Sequence, residues 1–133
     1  MDFKANDYMI TIVELNSFRL DADGVFTDDE QSRLIDFIAA NPHSGVIIPA
    51  TGGVRKIRWG AGGKGKRGGV RVIYYFRDLN FPVFLLAAYK KSEKLNLTMG
   101  EREQMHKLVD RLVGEYRART TLGNVVRIGR QPA

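Results

Sequence analysis

The chain contains no cysteine, which excludes disulfides and thiolate metal sites and fits a reducing cytoplasm. Two histidines are too few for a histidine-rich metal centre. No stretch approaches the ~20 apolar residues of a membrane span. The start, MDFKANDYMITIVEL, carries acids and no apolar run long enough for a secretory signal. The most informative absence is local. Between Asp36 and Asp78 there is no Asp or Glu, while eight Lys and Arg fall there.

What is present bounds the class. At 133 residues and 44% hydrophobic content the chain can bury one core. One domain is expected over residues 1–119, with 120–133 as an extension or tail. Lysine and arginine outnumber the acids 21 to 15, and the resulting +6 favours a polyanionic partner.

Hydrophobic patterning gives the element order. Tyr8 to Leu15 (YMITIVEL) reads as a strand, and Ser17 to Leu20 allows one helical turn. Thr27-Asp28-Asp29-Glu30 has the form of a capping box, in which hydroxyl and carboxylate satisfy each other's backbone amides. It predicts a helix over Asp28 to Ala40 with Leu34, Ile35, Phe37 and Ile38 inward. Asn41-Pro42 ends it, because proline pushes the preceding residue out of helical space. Val54 to Trp59, Val70 to Phe76 and Pro82 to Tyr89 read as three adjacent strands, for which antiparallel pairing is expected. Thr98 to Glu101 is a second capping box. Behind it Met105, Leu108, Val109, Leu112, Val113 and Tyr116 form one helical stripe. VVRI, near the end, reads as an edge strand or a loose tail. Helices against an antiparallel sheet make an α+β domain.

Gly60 to Gly69 is a basic, glycine-rich loop. Gly60, Gly62 and Gly65 satisfy G-x-G-x-x-G, and Gly60 with Gly65-Lys66 satisfies most of G-x-x-x-x-G-K-[ST]. Both phosphate-binding patterns need a helix to follow. VRVIYYF is strand-forming instead, and Arg67 stands where the second pattern needs Ser or Thr. Two readings remain: a solvated hairpin connection, or a basic lip for a nucleic-acid strand.

Alternation along the flanking strands bears on that choice. Lys56 and Arg58 share one face of VRKIRW, with Ile57 and Trp59 on the other. Arg71 shares a face with Ile73 and Tyr75. If the helices cover the opposite face, Lys56, Arg58 and Arg71 converge beside an exposed tyrosine, a surface suited to single-stranded RNA. Tyr74 and Trp59 read as core. His43 and His106 read as surface or packing residues, and Glu93 as a salt-bridge partner of Lys91 or Lys94.

The stretch TGGVRKIRWGAGGKGKRGGVRVIYYF, followed by FLLAAYKKSEKLNLT, resembles the HigB-type branch of the RelE superfamily of toxin–antitoxin toxins. The resemblance runs from about Val13 to Tyr116. It rests on a G-[LV]-R-K-x-R strand, a G-K-G-K-R-G-G-x-R-[VI]-I-Y-Y hairpin and a Y-x-K-x-E-K strand end. It implies a RelE-like compact α+β domain, with an antiparallel central sheet of three to four strands, flanking helices and a C-terminal helix. It also implies a monomeric, cytoplasmic endoribonuclease that needs no metal or cofactor and cuts messenger RNA on the translating ribosome. A cognate helix-turn-helix antitoxin, HigA-like, would neutralise it. The implied catalytic residues are Lys56, Arg58, Arg71 and Lys91. The implied RNA-binding residues are Arg55, Lys64, Lys66, Arg67, Tyr75 and Lys94. RelE relatives carry a tyrosine shortly after the last strand. Here Lys94, Leu95, Asn96 and Leu97 stand there, so no tyrosine is transferred to the site.

The chemistry suits these residue types. RNA carries its own nucleophile, the 2′-hydroxyl, and a catalyst must stabilise the charge that builds on phosphorus. Arg58 and Arg71 fit that task, since guanidinium is always ionised and grips two phosphate oxygens. Lys56 is a candidate base or electrostatic activator, and Lys91 a candidate acid or second phosphate clamp. Two other functions fit the same residues: an RNA-binding module without catalysis, or a structural partner whose basic face docks an acidic protein.

Overall fold

A computed structural model describes residues 10–60, 69–94 and 96–121. The expected elements within residues 1–9, the body of the glycine loop and the VVRI segment lie outside them. The order is β1 (Ile12–Glu14), α1 (Asn16–Ala22), α2 (Asp28–Ala40), β2 (Val46–Ile47), β3 (Val54–Trp59), β4 (Val70–Tyr75), β5 (Val83–Lys90) and α3 (Met99–Thr121).

Both capping boxes form as their spacing requires. The Glu30 amide donates to the Thr27 hydroxyl at 3.1 Å, and Glu30 accepts from the Thr27 amide at 2.9 Å. Thr98 and Glu101 repeat the exchange at 3.1 and 2.9 Å and start α3. Each fixes one helix start, worth about 1 kcal/mol. Along α2, Leu34, Ile35 and Ile38 are fully buried. Phe37 instead sits at the rim, 36% exposed, with its ring 5.2 Å from that of Trp59.

The α+β class is as the pattern predicts, with a larger sheet. Five strands run in the order β1-β5-β4-β3-β2. The β2–β3, β3–β4 and β4–β5 pairs are antiparallel, and β1 lies parallel to β5 with Ile12 opposite Val83. Beyond the end of β1 that edge of β5 needs other partners, because an unpaired buried backbone group is costly. Helix α1 supplies them. The Ser17 hydroxyl donates to the Leu86 carbonyl at 2.6 Å, and the Asp21 carboxylate accepts from the Ala88 amide at 3.0 Å.

Helices cover both sides of the sheet, not one. On one side Phe18 of α1 and Leu34, Ile35 and Ile38 of α2 pack on Val72, Tyr74, Val83 and Leu85. On the other, Val109 and Val113 of α3 pack with Val54, Ile73, Tyr75, Phe84 and Leu86. The expectation of a whole uncovered face is thus corrected. The long apolar stripe of α3 needs a surface of its own, and it takes one end of the basic side. A β-bulge in the β4–β5 ladder, between Ile73 and Tyr74, pairs Ile73 with Ala87 and Tyr74 with Leu85, leaving Leu86 as the extra residue. Leu86 and Ala87 therefore both turn to the α3 side, and every later side chain of β5 is re-aimed.

Candidate nucleic-acid interface

The register puts three side chains in one row across the sheet: Arg58 opposite Arg71, and Arg71 opposite Tyr89. Strands lie ~4.8 Å apart, so the row spans roughly 10 Å, the length of one to two nucleotides. Lys56, two residues from Arg58, shares its face about 7 Å along the strand. The row lies at the opposite end of the ladder from the Val54–Tyr75 pair, which packs with α3.

Exposure differs along the row. Arg58 is exposed, Lys56 and Tyr89 are half-buried, and Arg71 forms the floor at 8%. Burial pushes the Tyr89 phenol up from its ordinary value of 10.0, while the charges of Arg71 and Lys94 pull it partly back. The phenol is therefore neutral at physiological pH. The Lys94 ammonium stands 5.8 Å from the Tyr89 ring centroid, a cation–π arrangement.

The segment after β5 adds two polar ties. Asn96 accepts a hydrogen bond from Lys56 Nζ at 3.1 Å, joining residues 40 apart in sequence. Glu101 is both the capping residue of α3 and the partner of Lys94. The hydrogen bond from Lys94 holds its carboxyl below the ordinary value of 4.5. Lys94 thus pairs with Glu101 and not with Glu93.

Apart from Arg55 and Tyr75, the expected site residues fall into three groups. Lys56, Arg58, Arg71 and Lys94 share the α3 side of the sheet, with Arg58 and Arg71 directly paired. Lys91 is exposed just past β5, where its amide donates to the Gly69 carbonyl at 2.9 Å and closes the hairpin end. Lys64, Lys66 and Arg67 lie outside the described residues.

Two expectations are corrected. Tyr75 is 4% exposed and packs in the α3 core, so it offers no ring to a base. Arg55 alternates with Lys56 and turns to the other side, where its guanidinium donates to the carbonyls of His43 and Gly45 at 3.1 and 2.8 Å. It fastens the β2 loop. The tyrosine that does reach the basic row is Tyr89. Simple alternation from buried Val83 would aim it the other way; the extra residue at Leu86 reverses that.

The histidines lie elsewhere. His43 meets the Phe76 ring edge-on at 5.0 Å. His106 lies 3.8 Å from Asp110 and packs against Gly52, where a β-carbon would come within 2.8 Å of the imidazole. Gly52 has φ +76°, so this turn needs glycine on two counts. Trp59 packs against the α1–α2 core.

What the arrangement can do is bind a phosphodiester. Two arginines at paired positions on one face, with two lysines close by and an aromatic residue at the end of the row, match an RNA backbone and one base. Among the described residues, no helix is long and apolar enough to cross a membrane. Residues 32–127 match the family model described as the RelE toxin of the RelE / RelB toxin-antitoxin system.

Proposed function

The chain belongs to the RelE toxin family, the toxins of toxin–antitoxin systems with an antitoxin partner, and from that premise we propose that it is a HigB-type endoribonuclease cutting messenger RNA on the translating ribosome. The observation that carries this reading is the Arg58–Arg71–Tyr89 row with Lys56 on the same face.

In this mechanism the RNA strand lies across the row with one phosphate over Arg58 and Arg71. The 2′-oxygen of the preceding ribose attacks phosphorus, forming the O2′–P bond as the P–O5′ bond breaks. The products are a 2′,3′-cyclic phosphate and a 5′-hydroxyl. The proton lost by the 2′-hydroxyl is balanced by the one gained at the 5′-oxygen. Arg58 and Arg71 carry the charge that grows on the phosphorane oxygens, a role worth ~10²–10³ in rate per donor. Lys56 acts beside the attacking ribose and Lys91 clamps a neighbouring phosphate. Tyr89 offers its ring to a base, with Lys94 behind it. The proposed partner is a HigA-like helix-turn-helix antitoxin, and the free toxin is a monomer acting in the cytoplasm, where ribosomes are.

The Lys94–Leu97 stretch, which lacks the tyrosine of relatives, favours a second reading: RNA binding without cleavage. One experiment separates them. A translating lysate given the protein accumulates RNA fragments ending in 2′,3′-cyclic phosphate, and a single 2′-deoxy substitution at a mapped cut abolishes that cut. Salt-sensitive ribosome binding with intact message would establish the second reading instead.

A further inference from the structure

The stretch between β5 and α3 is where Asn96 reaches back to β3. Lys56 has a flexible four-carbon stem, and its half-buried position on β3 does not by itself fix where the ammonium points. The 3.1 Å bond to Asn96 does. Asn96 lies just ahead of the capping box that starts α3. Thr98, two residues on, exchanges two hydrogen bonds with Glu101 at the start of α3. Glu101 also pairs with Lys94, which stands over Tyr89. The start of α3 therefore holds Lys94 directly, and Lys56 is tied through Asn96 to the segment just ahead of that helix.

We propose that Asn96 is a positioning residue of the site, aiming Lys56 along the face it shares with Arg58 and Arg71. The proposal rests on the ribonuclease reading above and adds to it a residue that touches neither the row nor the scissile phosphate. The amide suits this work. Its oxygen accepts one N–H of Lys56 and carries no charge that would compete with RNA for the ammonium; the other N–H groups of Lys56 remain for phosphate. A carboxylate at the same place would form an ion pair and hold the lysine back from the strand. Alanine would leave Lys56 to sweep through several rotamers.

The test is a double-mutant cycle on translating ribosomes, read as the single-turnover rate of message cleavage. Asn96→Ala lowers the rate roughly 10- to 100-fold, the size expected for a misdirected group. In a Lys56→Ala background the same change alters the rate less than about twofold, because nothing remains to be aimed. Lys56→Arg, which extends past Asn96 but keeps the charge, is less sensitive to Asn96→Ala than the wild type is. Asn96→Asp lowers the rate at least as far as Asn96→Ala. Asn96 is exposed, so the thermal midpoints of these variants stay within a few degrees of the wild type. An equal fall in the wild-type and Lys56→Ala backgrounds, or no fall in either, overturns the positioning role while leaving the ribonuclease reading standing. A wild-type chain that binds ribosomes and cuts nothing overturns the reading itself, and the positioning role with it.

Discussion

Tyr89 stands opposite Arg71 because β5 carries one residue more than β4 at Leu86. The extra residue turns the ring from the α1–α2 side of the sheet to the basic side. Ser17 of α1 donates to the Leu86 carbonyl and so satisfies the bulged residue. A helix on one face thereby fixes the aim of an aromatic ring on the other.

This predicts a split between two Tyr89 variants. Tyr89→Phe keeps the ring and binds translating ribosomes within about threefold of the wild type. Tyr89→Ala loses a stacking surface worth ~1–3 kcal/mol and binds about 10- to 100-fold more weakly. Filter binding or sedimentation of toxin with programmed ribosomes checks it. Equal binding by both variants would show that no base stacks on the ring.

The raised Tyr89 pKa also has a sign in stability. The folded state disfavours the phenolate, so this contribution is fully present below the ordinary value of 10.0. It is lost as pH rises above that value toward the folded pKa. Tyr89→Phe therefore shows a smaller drop in thermal midpoint between pH 9 and 11 than the wild type. Parallel curves for the two proteins would contradict the assignment.

Glu101 behaves in the opposite sense. Its carboxyl is held down first by the hydrogen bond from Lys94. Its contribution is present above 4.5, the ordinary value, and is lost as pH falls through the lower folded pKa. Glu101→Gln flattens the loss of stability between pH 5 and 3, measured by thermal melts across that range. It also frees Lys94, and RNA cleavage falls a few-fold while the α3 helix content seen by circular dichroism is unchanged.

Tyr74 is a structural counterpart. Its hydroxyl, fully buried, donates to the Pro42 carbonyl at 2.9 Å and accepts from the Gly45 amide at 2.8 Å. Tyr74→Phe leaves both groups without that partner and costs about 1–3 kcal/mol. For a domain of this size that is a fall of several degrees in the thermal midpoint, with cleavage at permissive temperature retained.

Much of this was legible in residue order. The capping boxes at Thr27 and Thr98 place α2 and α3 because their signals are local. Alternation in VRKIRW separates Lys56 and Arg58 from Ile57 and Trp59, and the register then sets Arg58 beside Arg71. What stayed hidden depends on contacts distant in sequence. β1 finds its parallel partner about 70 residues on, at Val83. The bulge at Leu86 has no signature in FLLAAY; it is paired with a hydroxyl from α1. Tyr75 reads as a ring on the basic face because nothing in its own strand announces that α3 covers that end. The side Arg55 takes was legible, since alternation sets it with Ile57 and Trp59; only its carbonyl partners at His43 and Gly45 needed the fold.

Arg58 and Arg71, at paired positions on one face, are proposed to stabilise the charge made as message breaks. The most direct measurement is the single-turnover cleavage rate on translating ribosomes for Arg58→Ala and Arg71→Ala, each confirmed folded by circular dichroism. The predicted result is a fall of roughly 10²–10³ for either variant, with ribosome association reduced far less. Cleavage at the wild-type rate by either one would contradict it.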